Sequence, residues 1–352
     1  MTYTNLGAAK MPKAGRIMRS LLSLVVAVGL LQAPANTASA EDSPELTALI
    51  KAAKEEGSVF FYASMIDADS RRLAKAFSEK YDIDTQFIRL SGTNAKTRYA
   101  TEAETGTFAA DLLYIAGANI FAKAGVEKGW LQPVADANLP VVKNAIYPAT
   151  QSVDDLAIIQ YAPWIMVYNT DTTAAADIPT DWTDVLDPKY KGQILIADPR
   201  ASDVYLHFWA ALADRYGASF FEKLRAQELR LYKSGVPAIQ ALGAGEGLIQ
   251  FPAIPIMVAA SKSKGAPVEL VQMDYTTAVE MQVLLTNPEH SKHPNAARLL
   301  ANYSMTPEGN AILNGGVGGI SVFDTTNLPA ELQPTLQKTI ARKQEIYDLL
   351  GL

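Results

Sequence analysis

The chain has 352 residues, of which 49% are apolar and 19% charged. This balance excludes an intrinsically disordered chain, and at roughly 100–200 residues per domain the length predicts about two domains. The formal net charge is −6, and no basic run stands out, so nucleic acid and anionic membrane surfaces are excluded as favoured partners.

Residues 1–40 have the layout of a secretory signal peptide. Four basic residues and no acidic one accompany the apolar run Leu21–Leu31, and Ala38-Ser39-Ala40 forms an A-x-A cleavage pattern. The run is shorter than the ~20 residues that span a membrane; a buried N-terminal helix is the alternative. Cleavage after Ala40 changes the net charge from −6 to −10, because the leader carries only basic charges.

The chain contains no cysteine. Thiol nucleophiles, cysteine metal sites and a lipid anchor on cysteine are therefore excluded, and a chain of this length buries enough core to fold without disulfides. We expect a freely soluble periplasmic monomer without a membrane anchor.

The first half of the mature chain predicts an α/β unit. Helical and strand patterns alternate in this order: a helix from Ser43 to Gly57, the strand Val59–Ala63, the helix Ser70–Tyr81, the strand Thr85–Leu90, the helix Lys96–Thr105 and the strand Asp111–Ala116. Such alternation predicts a doubly wound, mostly parallel sheet.

A second α/β unit begins with the strand Gln193–Ala197 and the helix Asp203–Tyr216. Further alternation runs through Leu229–Lys233, Ala238–Leu242, Leu248–Phe251 and Val268–Val271. The strand-like segments Tyr161–Asn169 and Ala278–Leu285 are interpreted as crossings between the two units.

Polar loops follow the predicted strands, at the edge of an open α/β sheet where ligands bind. The loops are Ser64-Met65, Ser91–Asn94, Gly117–Asn119, Pro199–Asp203 and Ser234–Val236. The alternative is that their Ser, Asn and Asp residues only cap helices.

Eight segments together resemble the periplasmic solute-binding proteins of ABC importers, in the branch that includes ferric-iron, thiamine, polyamine and phosphonate binders. They are Val59–Ser64, Thr101–Leu113, Gly129–Pro133, Val167–Thr170, Asp181–Gly192, Ser234–Glu246, His293–Leu300 and Ser304–Gly309. The run Trp182–Gly192 is the most specific of these segments, and the resemblance covers essentially the whole mature chain.

The resemblance implies an α/β, two-lobe, type 2 periplasmic binding protein. After the leader (1–40), lobe one comprises residues 41–161 plus 283–330, and lobe two comprises residues 162–282 plus 331–352. A strand hinge joins the lobes. The cleft between them closes on one ligand, and the permease of the importer then recognises the closed form.

The ferric binders of this family use a histidine and a glutamate from lobe one and an adjacent tyrosine pair from lobe two. The corresponding positions here are Ile66, Ala116 and Pro252-Ala253, and no Tyr-Tyr pair occurs in the chain. Ferric iron or a metal chelate is therefore the second choice of ligand, and we predict no metal ligands.

The resemblance also implies an anion on the helix start at Ala201-Ser202-Asp203 and on the turn Ser234-Gly235. Arg200 precedes that helix and would add a charge-assisted hydrogen bond; an ion pair with Asp198 or Asp203 is the alternative. We predict that the ligand is a small organic anion, a carboxylate or phosphonate. A cationic amine beside Asp203 or Asp274 stays open.

The remaining candidate ligand-binding residues come from lobe one and from aromatic positions. In lobe one they are Ser64, Met65, Thr93, Asn94, Gly117 and Ala118. The aromatic candidates for cleft walls are Tyr161, Trp164, Phe251 and Tyr275, with burial in the core as the alternative.

No sequence motif of a hydrolase, zinc enzyme or phosphate-binding loop occurs in the chain. Of the three histidines, we expect His207 to be packed or at the surface and His290 and His293 to be exposed. We therefore expect no catalytic residues and no cofactor. A periplasmic lyase or hydrolase is the third choice of function.

Overall fold

The computed structural model describes residues 43–153, 156–335 and 338–352, so the predicted leader lies outside the described residues. Within these ranges, no helix combines the length and the apolar character that crossing a membrane requires.

Helices and strands alternate along most of the described chain. The helices are α1 (Pro44–Glu56), α2 (Asp67–Tyr81), α3 (Gly92–Glu104), α4 (Asn119–Glu127), α5 (Pro140–Lys143), α6 (Val204–Ala226), α7 (Gly235–Gly243), α8 (Pro255–Lys262), α9 (Pro294–Ser304), α10 (Pro307–Leu313), α11 (Lys338–Ala341) and α12 (Lys343–Leu350). The strands are β1 (Ser58–Ala63), β2 (Asp84–Arg89), β3 (Leu112–Ala116), β4 (Leu131–Gln132), β5 (Ser152–Val153), β6 (Leu156–Pro163), β7 (Ile165–Asn169), β8 (Ile194–Ala197), β9 (Arg230–Tyr232), β10 (Ile249–Ala253), β11 (Val268–Val271), β12 (Tyr275–Thr286) and β13 (Glu331–Gln333).

An eight-stranded sheet forms the first lobe, in the order β2-β1-β3-β12-β6-β5, with β4 and β13 pairing to β12. β1 runs parallel to β2 and β3, whereas β12 runs antiparallel to β3 and β6. β12 lies between β3 and β6 at the centre of this sheet. Both faces of a central strand are covered, and nearly all side chains of β12 are accordingly buried. Phe61, Phe77 and Tyr303 belong to the hydrophobic core of this lobe.

A five-stranded sheet forms the second lobe, in the order β11-β7-β10-β8-β9. Helix α6 contributes Phe208 and Trp209 to a core that also holds Trp182 and Phe251. The aromatic rings of this core meet in tilted and edge-to-face contacts with centroids 5.0–6.3 Å apart. Such contacts stabilise a core beyond the area they bury.

The chain passes between the two sheets at Trp164, between β6 and β7, and returns between β11 and β12. Trp164 N donates to Thr277 O over 2.9 Å, and Thr276 Oγ1 donates to Trp164 O over 3.0 Å, so the two crossings are bonded to each other. The sequence placed the return near Val283. That residue pairs instead with Tyr114 and Ala157 inside the first sheet, because β12 begins at the hinge and continues through the lobe.

The predicted fold class, α/β with the two-lobe architecture, is confirmed. Both sheets are mixed, because strands that enter or leave a crossing run antiparallel to their neighbours while the βαβ units remain parallel. The C-terminal helices α11 and α12 pack on α6 of the second lobe.

Phe251 tests the packing of the second lobe. Its ring is fully buried among aromatic neighbours, so Phe251→Ala leaves a cavity and should lower the free energy of unfolding by about 3–5 kcal/mol. Urea denaturation followed by circular dichroism measures the change. Leu231→Ala on β9 is the matched control, because Leu231 is 39% exposed and its loss should change stability by only about 0.5 kcal/mol. Equal effects of the two substitutions would contradict this account of the core.

Candidate functional site

Two cavities adjoin each other in the cleft between the lobes. The inner cavity, of about 100 Å³, is bordered by Ser64, Met65, Ile66, Asp69, Ala116, Gln160, Ala162, Ile254, Ile256, Val279, Met281, Gly318 and Gly319. The side cavity, of about 350 Å³, is bordered by Lys96, Gly117, Asn119, Ile120, Phe121, Ala124, Asp203, His207, Thr335 and Ile340. The turn after β3 borders both, since Ala116 lines the first and Gly117 the second.

The lobes touch across the cleft at glycines. A Cβ atom on Gly117 would lie 3.1 Å from Val204 Cγ1, and a Cβ atom on Gly318 would lie 2.6 Å from the backbone nitrogen of Ile256. Gly318 also has φ +95°, which side chains disfavour. This close approach therefore depends on the missing side chain.

Four helices begin at the cleft without a side-chain cap: α2, α4, α6 and α8. Helix α2 carries Asp67 and Asp69 in its first turn, whereas α4, α6 and α8 have no acidic residue among the first-turn residues of the helix itself. By contrast, Ser43, Ser91 and Thr306 cap α1, α3 and α10. The first N–H groups of a helix have no partner within it, and the helix dipole favours negative charge there. The N–H groups of Tyr205 and Leu206 in α6 and of Met257 in α8 already donate to backbone carbonyls, so the other first-turn N–H groups of α4, α6 and α8 are the donors that suit an anion.

The inner cavity has a polar wall whose charges are compensated. Asp69 is buried, and its carboxylate accepts from Arg72 over 2.5 Å and from Gln160 over 3.2 Å. Ser64 Oγ accepts a 3.0 Å hydrogen bond from the backbone N–H of Ala116. A polar, uncharged part of a ligand fits this wall.

The side cavity holds three titratable groups. Lys96 Nζ donates to Gly117 O over 3.3 Å, and burial lowers the pKa of Lys96 although Asp203 opposes the shift. His207 is 9% exposed, and its Nδ1 has no hydrogen-bond partner among the described residues. Burial lowers the pKa of His207 to about 4; Asp203 opposes this shift and Lys96 adds to it. A cation, a carboxylate and a neutral imidazole thus border one cavity.

The lobe-one candidates separate into those at the cavities and those outside them. Ser64 and Met65 border the inner cavity, and Gly117 borders the side cavity. Ala118 is buried, and its N–H donates to Gln282 Oε1 over 2.8 Å. Thr93 and Asn94 are exposed in the first turn of α3 and border neither cavity.

Among the lobe-two candidates, Asp203 borders the side cavity. Arg200 donates to both carboxylate oxygens of Asp198 at 2.7–3.1 Å and is 51% exposed, so the ion pair that the sequence left open is what forms.

The other lobe-two candidates flank the cavities without bordering either. Ala201 and Ser202 precede Asp203, and Ser234 precedes α7. Gly235 is buried, with its N–H donating to Tyr205 Oη over 3.2 Å.

The aromatic candidates belong to the cores rather than to the cavity walls. Tyr161, Trp164, Phe251 and Tyr275 are all buried. Tyr161 Oη donates to Gln151, and Tyr275 Oη donates to Ala211 O at the back of α6. Apolar side chains near strand ends have the same spacing whether they face a core or a cleft, which is why the sequence left both alternatives open.

Three residues that border the cavities, Lys96, His207 and Gln160, were not among the predicted site residues. Lys96 stands in the second turn of α3 after a polar loop, and His207 stands one turn after Asp203 on α6. The i, i+4 spacing of Asp203 and His207 was the one available local signal.

His293 corrects a further expectation, because it is not exposed. Its Nδ1 lies 2.9 Å from Asp111 Oδ2 and its Nε2 lies 2.9 Å from Ser58 Oγ, the order of groups in an acyl-transfer triad. Asp111, however, also accepts from the backbone N–H groups of Phe60, Lys292 and His293. These residues border neither cavity, and the network ties β1 to the start of α9.

The sequence matches a family model described as "bacterial extracellular solute-binding protein" over residues 109–343. An uncharacterized protein of Haemophilus influenzae is 26% identical over 291 residues, covering 80% of this chain and 82% of the relative.

Solved structures share the two-lobe fold. Iron-bound HitA from Pseudomonas aeruginosa is similar with a TM-score of 0.65 and 18% identity, covering 84% of this chain and 99% of that one. AfuA from Actinobacillus pleuropneumoniae, with fructose-6-phosphate bound, is similar with a TM-score of 0.60 and 22% identity, again covering 84% and 99%.

The shifted pKa of His207 predicts a pH dependence of stability. The imidazole titrates near 6.5 when unfolded and near 4 when folded, so between these values the unfolded state binds more protons. The free energy of unfolding should fall by roughly 2–3 kcal/mol between about pH 7 and pH 4.5. In His207→Gln this part of the loss should vanish. Urea titrations at both pH values compare the two proteins, and identical pH slopes would contradict the burial of a neutral imidazole.

Proposed function

The chain belongs to the family of bacterial extracellular solute-binding proteins, and on that premise we propose that it captures a small organic anion in its cleft. The ligand class is a carboxylate, a phosphonate or a phosphate ester. The protein would then deliver this ligand to the permease of an ABC importer.

One observation carries the choice of an anion: three uncapped helix starts with no acidic residue in the first turn of the helix itself and the ammonium group of Lys96 meet at the same cleft. Each helix start favours a negative charge by about 0.3–1 kcal/mol at an exposed site and by more when partly buried. A charge-assisted hydrogen bond from Lys96 contributes about 1.5–3 kcal/mol. Lys96 thus takes the place that the sequence assigned to Arg200.

The organic body of the ligand would lie toward the inner cavity. Ser64 and Gln160 supply a hydroxyl and an amide there, and the carboxylate of Asp203 at the side cavity accepts hydrogen bonds from ligand hydroxyl groups. The AfuA structure, which holds fructose-6-phosphate, supports this class of ligand in a chain of the same fold.

Ferric iron or a metal chelate is the second candidate, because iron-bound HitA shares the fold. Trivalent iron requires several anionic oxygen ligands. In the part of the chain that the structure describes, no group of three or more His, Cys, Asp or Glu side chains is suited to a metal, and the sequence contains no adjacent tyrosine pair. An organic anion is therefore favoured over a bare ferric ion.

Capture requires no bond chemistry by the protein. A ligand that contacts both lobes binds the closed form better and shifts the population toward it. We propose that residues 1–40 direct export, and that the mature chain acts as a periplasmic monomer whose closed form the permease recognises.

A thermal-shift screen tests the ligand class. The panel comprises carboxylates, phosphonates, fructose 6-phosphate, polyamines, thiamine and ferric citrate. An organic anion should raise the melting temperature with dose, since a ligand at about 100 times its Kd stabilises the folded state by about 2.7 kcal/mol. Lys96→Gln should abolish most of the shift, whereas Lys123→Gln on α4 and Arg200→Ala should keep it. A shift lost in Arg200→Ala and kept in Lys96→Gln would reverse the assignment, and a shift with iron alone would favour the second candidate.

A substitution at Gly318 tests whether ligand binding requires the close contact between the two lobes. Gly318→Ala places a methyl group against α8, and overpacking of this kind costs about 1–3 kcal/mol. Affinity for the anion should therefore fall by about 5-fold to 150-fold. Gly129→Ala is the matched control, because Gly129 has φ +74° but no atom within 4 Å of the added Cβ. Calorimetric titration measures both variants. An equal loss of affinity in the two would assign the effect to backbone strain and refute the contact across the cleft.

A further inference from the structure

We propose that the anion is captured together with a proton, which His207 takes up inside the side cavity, so that binding tightens as the pH falls. This inference rests on the proposed function and adds a regulation to the same site.

The first observation is that His207 is buried beside the side cavity with an unpaired ring nitrogen. The ring is more than nine-tenths buried on α6 and borders the side cavity, yet Nδ1 has no hydrogen-bond partner among the described residues. Leaving such a buried polar atom unpaired costs about 1–3 kcal/mol. Native proteins satisfy nearly all such atoms, and among the unpaired atoms of the described residues Nδ1 of His207 is the one that belongs to a residue bordering a cleft cavity.

The second observation is the balance of charged side chains around the side cavity. Lys96 on α3 and Asp203 at the start of α6 are the other titratable side chains that border it in the described ranges. The remaining bordering residues on α4 and near the C-terminus are uncharged: Asn119, Ile120, Phe121, Ala124, Thr335 and Ile340. Lys96 and Asp203 offset each other, so with a neutral imidazole the cavity carries no net charge.

An anionic group in this cavity shifts the equilibrium of the His207 ring from its neutral form toward its protonated form. A nearby negative charge favours the protonated ring, against the burial that keeps the ring neutral in the free protein. Because the negative charge of Asp203 offsets the positive charge of Lys96, the proton on His207 gives the cavity a net positive charge that attracts the anion. A dianionic head, such as that of a phosphate ester or a phosphonate, would gain more from this proton than a single carboxylate.

Linkage then fixes the direction of the pH effect. A complex that binds more protons than the free protein becomes more stable as the pH falls. We expect affinity for a phosphate ester to rise by about 3-fold to 10-fold from pH 8 to pH 6, relative to a variant that lacks the imidazole.

Calorimetry with fructose 6-phosphate measures the proton directly. Titrations at about pH 6 in two buffers of different ionisation enthalpy give the number of protons taken up. The same titrations on His207→Gln cancel the ionisation of the ligand itself. Wild type should take up about 0.7–0.9 proton more than His207→Gln, and His290→Gln, which changes an exposed histidine outside the cavity, should match wild type.

The outcomes separate the two proposals. Binding with equal proton uptake in wild type and His207→Gln overturns the proton coupling and leaves anion capture in place. If fructose 6-phosphate does not bind, the anion that gave the largest thermal shift replaces it in the same buffers. Absence of stabilisation by every anion overturns both proposals. Should His207→Gln fail to fold, movement of the His207 ring signal in proton NMR on ligand addition at constant pH decides for wild type, and an unmoved signal overturns the coupling.

Discussion

The cleft depends on the hydrogen bonds between Trp164 and the segment Thr276–Thr277, where the two crossings of the chain pair with each other. An antiparallel pair resists sliding, because a shift of one residue would exchange the faces of every side chain along it. Bending remains possible, since few residues absorb the change at a hinge. The pairing therefore fixes which helix starts face each other while leaving the distance between them adjustable.

The second feature that shapes the candidate site is the set of ion pairs that neutralise charged side chains around it. Asp69 is compensated by Arg72 at the inner cavity, and Arg200 by Asp198 outside both cavities. The side cavity keeps a mixed set of titratable groups at uncapped helix starts. Charged side chains alone would point to Arg200, whereas helix starts and burial together favour the side cavity, where we propose that the anion binds.

Sequence patterns predicted those features that depend on neighbours along the chain. Ser64 was found because it follows a buried strand, and Gly117 because a turn to a helix follows β3. The return crossing was misplaced because β12 is apolar throughout, and an apolar run does not reveal which sheet it joins. Lys96 and His207 meet only because α3 and α6 approach each other in three dimensions. No local signal records such a meeting. For Phe251 and Tyr275 the patterns of a core and of a cleft wall are the same.

The central position of β12 has a consequence for the newly made chain. Its partners β3 and β6 precede it by more than a hundred positions in the sequence, and β12 ends only at Thr286. The first lobe therefore lacks the middle of its sheet until most of the protein has left the ribosome. Pairings between segments this far apart also form slowly, because the intervening loop must first be closed. A late central strand prolongs the interval in which the polypeptide remains unfolded, which would be compatible with the export that we propose.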